Sequence, residues 1–404
     1  DIHLPSIVHG GVAMVGAAFA VAQKLKVDGR RLIEALVAGF DAQYRLGEAI
    51  SASHYARFHS TGTVGTFGAA AACARLLDLN VEQTCWALGN AGSQAAGLWQ
   101  YLKIGDDTKV LHAGKSCMNG VIAAALAAQG FTGAVDVIEG ERGFVATMAS
   151  EVDWNRITDR LGSYFKVTEN GYKIHACCRH GHVTIDETLR MTIENDLHAA
   201  DIRKVTVRLP TASVQVLDVL VPASPYNAKF SAQFMVANAV VHRRVGLEAF
   251  TETRLADPAI RALMEKVTVA GEPAFDRGFP DKWTAEVIIE TTDGRRLAGS
   301  ADMPRGEWVN PVPAAVIEAK ARDLLAHTED WVRDQLQHRL SFPWRPAPRC
   351  SSAPTRNRPS GWPGRPESSA HCSCPISPPG CPAPSRATAA SWPCAAPGPW
   401  PAAS

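Results

Sequence analysis

The chain has 404 residues with 41 Lys plus Arg against 40 Asp plus Glu, long enough for two or three domains at roughly 150 residues each. Residues 341–404 hold 16 of the 26 prolines, 11 serines and 11 alanines, with only Phe342 and Ile376 among Leu, Ile, Val and Phe; such a stretch cannot build a packed core. Without it the body carries 35 basic and 39 acidic residues, a charge of −4, against +5 for the tail, which argues against nucleic acid as a partner of the body.

The first residue is Asp1 rather than Met, so a preceding segment is expected. From His9 to about Ala128 the pattern is helical and rich in alanine and glycine, as where helices pack closely. Gly11 to Lys26 reads as a buried helix. Its apolar run, Gly10 to Ala22, is 13 residues, short of the roughly 18 to 20 that span a bilayer, so no membrane insertion is expected. Asp28 caps a second helix through Ile33, Leu36, Val37 and Phe40. Asn80 with Gln83 repeats the capping logic. A further apolar helix follows Asn119 and ends at Gly130.

After Asp153 the texture changes. Tyr164 to Thr168 and Tyr172 to Ala176 read as short strands joined through Asn170 and Gly171. Strands are expected at 203–209, 266–270, 284–291 and 295–301, with helices at 183–195, 231–243 and 257–265, which makes an α+β region. Pro313 to Leu336 returns to helical periodicity and is expected to pack back on the first region. The tail after Leu340 reads as a disordered end, frameshifted or unselected, because its vocabulary is that of GC-rich codons read out of frame. The body's five cysteines, Cys73, Cys85, Cys117, Cys177 and Cys178, have no disulfide-framework spacing, and a reducing, cytosolic setting is the default.

Gly114-Lys115-Ser116 imitates the end of a phosphate loop, but Lys109 stands where that loop needs glycine, and no GxGxxG occurs. The run His175 to His182 offers five potential metal ligands in eight residues, yet adjacent Cys177 and Cys178 point to opposite faces, and the bland reading is two small buried fillers. Glycines 62, 65 and 68 after His59 allow a tight turn into a helix whose N–H groups, near Thr61 and Gly62, could hold an anion; close helix packing is the rival reading. Lys109 and His112, three apart in an expected loop, could reach one cleft.

Together these segments resemble the MmgE/PrpD family, whose members include 2-methylcitrate dehydratase, cis-aconitate decarboxylase and iminodisuccinate epimerase. The resemblance is carried by Asp1-Ile2-His3 with His9-Gly10-Gly11, by Phe58 to Thr63 leading into Gly68, and by Ala91 to Gly97. It continues through Lys109 with Leu111 to Gly114, Gly130 to Gly133, Lys173 to Cys178 with His182, Ile185 and Asp186, and Ala228 to Ser231. It implies an α plus α+β fold: a large all-helical domain (1–155, its front missing), a smaller α+β lid domain (156–305), a helix returning to the helical domain (306–340), and the disordered Pro/Ser/Ala-rich tail (341–404). It implies a homodimer with the site between helical domain and lid, in the cytoplasm. Carried over position by position, His9, His59, Lys109, His112 and His182 are expected to be catalytic, with Asp1, His3, Thr61, Gly62 and Lys173 binding substrate. Phe234 stands where some members place an aromatic hydroxyl.

The implied reaction is that of a lyase, a dehydratase of a small hydroxylated di- or tricarboxylate such as 2-methylcitrate in propionate metabolism. It abstracts a proton next to a carboxylate and needs no cofactor and no metal. His59 is expected as base, with His9 or His182 returning a proton. A decarboxylase or epimerase of a related polycarboxylate in the same cleft, and an inactive family remnant, are the alternatives.

Overall fold

The structure, a computed structural model, describes residues 1–103, 106–217 and 219–326. The expected tail and the end of the last expected helix lie outside the described residues. The first half is a helical bundle: α1 (Gly10–Leu25), α2 (Gly29–Tyr55), α3 (Ser60–Leu76), α4 (Val81–Gly92) and α5 (Thr108–Ala128). The caps work as the residues suggest. Asp28 Oδ1 accepts the Arg31 N–H at 2.9 Å, and Asn80 with Gln83 closes a reciprocal capping box. Gly130, at φ +82°, takes the left-handed turn that ends α5.

Helix α3 is the axis of the bundle. Fifteen of its 17 residues are buried, so it keeps no polar face, and it touches α1, α2, α4 and α5. Such approach needs residues without side chains. A Cβ on Gly65 would lie 2.5 Å from that of Ala13 on α1, and one on Gly120 of α5 would strike Ala69. The glycine spacing is therefore a packing device here.

Helix α5 begins at Thr108, eleven residues before the expected start at Asn119. Asp106 Oδ1 accepts the Thr108 N–H at 2.9 Å, which satisfies a donor at the helix start. Lys109 and His112 consequently lie one turn apart on a helix rather than in a loop. By length and composition α5 could cross a bilayer, although Lys109, His112 and Lys115 interrupt its apolar run. In the structure it packs on α1, α3 and α4 through Ala123, Ala124 and Ala127.

The second half is a four-stranded sheet with helices. Strands β1 (Ile202–Leu209), β2 (Val267–Gly271), β3 (Ala285–Thr291) and β4 (Arg296–Ala301) run in the order β2-β1-β3-β4, with β1 and β2 parallel and the other pairs antiparallel. All four strands fall where alternation predicts them. A register shift between Ile202 and Lys204 lets Ile202 point inward together with Val205, Val207 and Leu209. Helices α6 (His182–Glu194), α7 (Thr211–Leu217), α8 (Ala232–His242) and α9 (Pro258–Met264) join the strands in one core. Phe234 is fully buried in that core. The five body cysteines are free thiols.

One expectation fails in this half. Lys166–Glu169 is a 3-10 turn and 172–176 forms no strand, so the hairpin at Asn170-Gly171 does not exist. Lys166 and Glu169 turn inward instead, toward His3 and Glu48, and Gly171 exchanges hydrogen bonds with Ile2 at 3.0 and 2.8 Å. Its missing side chain leaves room for the Glu307 carboxylate. Helix α10 (Ala314–Leu325) has Ala314, Ile317 and Glu318 in one pocket with Gly11 and Val15 of α1 and Phe40 of α2, and its polar ties go to Lys173 and Arg244, with Asp323 taking the Arg244 guanidinium at 2.9 Å. The described residues form one compact unit.

Candidate active site

His9 and His59 occupy equivalent places, each the residue just ahead of a buried helix, α1 or α3. The His9 backbone N–H donates to Thr61 Oγ1 at 3.0 Å, and its Nδ1–H donates to the Asp1 carbonyl at 2.9 Å. A carbonyl only accepts, so the neutral ring carries its proton on Nδ1 and its lone pair on Nε2. His59 Nδ1 lies 3.0 Å from His112 Nδ1, so one proton serves both nitrogens and either ring can hold it. Trp99, at 5.1 Å between ring centroids, and Tyr101, at 5.8 Å, fix the His59 ring from the sides.

Lys109 and Lys173 complete the group. Lys109 Nζ stands 5.0 Å above the Phe230 ring. Lys173 follows Gly171 by two residues and so inherits the position set by the Ile2 bridge. Both line one narrow pocket with His9, His59 and His180, walled on its apolar side by Tyr55, Trp99, Phe230 and Trp283. Among the described residues no carboxylate lines that pocket. The one guanidinium there, Arg179, is already paired with Glu307, so its uncompensated charge is that of the two lysines.

Burial sets the protonation of these groups. It holds Lys109 below its ordinary value and, helped by repulsion from Lys109, pulls Lys173 down to about 7. Burial first, then the lysines, keep His9 and His59 well below the usual imidazole range and His180 at about 3. The pocket near neutral pH thus offers neutral imidazoles, the Lys109 ammonium and a Lys173 amine poised to take up a proton, a setting that welcomes an anion with several carboxylates.

The structure gathers some expected residues and disperses others. His9, His59, Lys109 and Lys173 line the cavity, and His112 stands directly behind His59. Asp1 and Thr61 act on His9: Asp1 through its carbonyl, while its carboxylate takes the Gly11 N–H at 2.7 Å, and Thr61 through its hydroxyl. Gly62 does not offer its N–H, which bonds to the His59 carbonyl at 2.8 Å, and it packs instead on His112. The expected anion cradle at the start of α3 is therefore occupied by the chain itself.

His182 and His3 lie outside that pocket's lining. His182 Nδ1 accepts from Arg179 at 2.9 Å and its ring lies beside His175, which itself bonds Asp186 at 3.0 Å; it does not line the cavity. A 3-10 turn over Arg179–Gly181 presents His180 there instead. Nothing in the alternation of one sequence distinguishes these two histidines. His3 lies in a separate buried cluster, stacked on Tyr44 at 4.1 Å, with Nε2 at 3.3 Å from Glu169 and 3.5 Å from Glu48. Those three side chains could hold a metal ion, but the Lys166 ammonium, 2.9 Å from Glu48 and 3.4 Å from Glu169, already neutralises the acids.

Two family models match the chain, the MmgE/PrpD N-terminal domain over residues 1–157 and the MmgE/PrpD C-terminal domain over 175–341. Among similar proteins, the cis-aconitate decarboxylase-like protein oryM of Aspergillus oryzae is 30% identical over 362 residues, covering 83% of this chain and 74% of that protein. The cis-aconitate decarboxylase of Homo sapiens is 25% identical over 334 residues, with 79% and 67% covered. The 2-methylcitrate dehydratase of Escherichia coli is 32% identical over 104 residues, with 24% and 22% covered.

Proposed function

The chain belongs to the MmgE/PrpD family, and from that premise we propose that it is a lyase dehydrating a small hydroxylated di- or tricarboxylate such as 2-methylcitrate. The observation that carries this reading is a pocket that brings together Lys109, Lys173 and three imidazoles with no acid among its described lining residues. A C–H next to a carboxylate is very weakly acidic until fixed positive charge meets the charge that develops on the carboxylate oxygens. Lys109 and Lys173 supply that charge in a water-poor site, where it acts most strongly.

The fixed tautomers divide the proton work. His9, with its lone pair on Nε2, takes the proton from carbon. His59 delivers one from Nε2 to the departing hydroxyl when its Nδ1 accepts the proton shared with His112. The C–H and C–O bonds break, a C=C bond forms and water leaves. The roles are thereby exchanged relative to the expectation of His59 as base.

A second reading, decarboxylation, is favoured by the cis-aconitate decarboxylases, whose similarity extends over most of the chain. In it the lysines hold two carboxylates while a third leaves as CO2 and an imidazole protonates the carbon. The test is purified protein with 2-methylcitrate, citrate and cis-aconitate, followed by enoate absorbance and by CO2. Enoate without CO2 is the expected result, CO2 from cis-aconitate alone transfers the assignment to the second reading, and silence with all three overturns both.

A further inference from the structure

We propose that His180 binds substrate directly, its Nε2–H donating to an oxygen of the bound polycarboxylate while Ser213 holds the ring from behind. This rests on the reading of the cavity as a polycarboxylate site. The His180 side chain is 5% exposed and Ser213 is 2% exposed, and Ser213 Oγ lies 2.7 Å from His180 Nδ1. Trp283 covers one face of the ring at 4.2 Å, with Phe279 at 5.9 Å. The imidazole is thus clamped in one orientation, and its other nitrogen, Nε2, is buried without a hydrogen-bond partner. Among the described residues it is the one imidazole of the cavity wall with a nitrogen in that state.

A buried polar atom without a partner is costly, and a structure that retains one beside a binding cavity has a use for it. The neutral ring has one proton for two nitrogens. A serine hydroxyl either donates or accepts, so Ser213 can donate to Nδ1 and leave the proton on Nε2. Lys109 and Lys173 disfavour that tautomer while the cavity is empty, and an anion resting on both lysines favours it. His180 therefore reads the anion as a neutral donor and transfers no proton.

The test uses the full chain, with tricarballylate as an unreactive tricarboxylate probe and 2-methylcitrate, citrate and cis-aconitate as substrates. In histidine labelled with nitrogen-15, the His180 resonances, assigned by their loss in His180→Gln, are expected to shift to the Nε2–H tautomer when tricarballylate binds. His180→Ala is expected to weaken tricarballylate binding and raise KM by roughly thirtyfold, because the ligand oxygen loses its partner. His180→Gln, which keeps an N–H at that reach, should lose less than about fivefold, and neither variant should move the limbs of the pH–rate profile. The proposal is overturned if His180 resonances ignore the probe, if His180→Ala matches the parent, or if His180→Gln is as poor as His180→Ala and a limb disappears, since that is a proton-transfer role. A parent protein that turns over substrate with any of these results sinks His180 alone. A parent that neither binds the probe nor reacts sinks the polycarboxylate reading and this inference with it.

Discussion

Six positions separate His3 from His9 in the sequence, yet their imidazoles sit in opposite electrostatic settings. Around His3, two carboxylates meet the Lys166 ammonium, and Arg156 approaches Glu48 at 3.7 Å. Around His9, Lys109 and Lys173 line a pocket with no acid among its described lining residues. Both regions are buried and both contain histidine and lysine, so residue type does not distinguish a structural cluster from a reactive one. The charge balance does: a cluster that is internally neutral holds the chain together, and one left with surplus charge waits for a counterion.

The sharpest way to break this contrast is to remove charge on each side. Lys109→Met or Lys173→Met should cost roughly a hundred- to a thousandfold in kcat/KM, as for a lost transition-state donor, while urea denaturation shows stability unchanged or raised. If either variant unfolded, the lysines would be structural and the contrast would vanish. Glu48→Gln should do the reverse. It leaves Lys166 buried without its closest acid and costs about 3 kcal/mol of stability by urea denaturation, with turnover per folded molecule retained.

Acid should probe the same balanced cluster. Burial pushes the Glu169 carboxyl up, but the His3 and Tyr164 hydrogen bonds and Lys166 outweigh it and bring it down to about 2. A depressed acid contributes stability that is full above the unfolded value and is lost as pH falls through the folded one. The loss is therefore expected between about pH 4.3 and 2, and Glu169→Gln should flatten that part of the stability curve.

The smallest effect lies in the cavity. Lys173, at about 7 when empty, must regain its proton to hold a carboxylate. Tricarballylate affinity should then fall roughly fivefold from pH 7 to 8, and calorimetry in buffers of different ionisation heat should register close to one proton taken up. Uptake near zero at pH 8 would mean that Lys173 does not face the ligand.

Much of this fold was legible in the residues, because caps and periodicity act locally. Asp28, the Asn80–Gln83 box, Gly130 and the four strands needed no knowledge of distant neighbours. Some differences are local, as in the start of α5, which Asp106 sets, and others involve distant partners. Gly171 looked like a hairpin glycine, but Ile2 and Glu307 decide its surroundings. His180 and His182 differ by two positions, and a single 3-10 turn selects which one faces the cavity. The glycines of α3 suggested an anion cradle and serve helix contact. In the site, His9, His59, Lys109 and Lys173 were named correctly as neighbours, whereas His3 was assigned to the wrong cluster because its acids, Glu48 and Glu169, lie far along the chain.

The paired hydrogen bonds between Ile2 and Gly171 have a mechanical side. His9 lies seven residues beyond one partner and Lys173 two beyond the other, so the base and the cation hang from the same crossbar. A shear between the helical and sheet halves that drags this crossbar carries both groups along as one piece, and their mutual spacing is buffered against it. His59 and Lys109, rooted in α3 and α5, have no such tether and would register the shear as a change in reach.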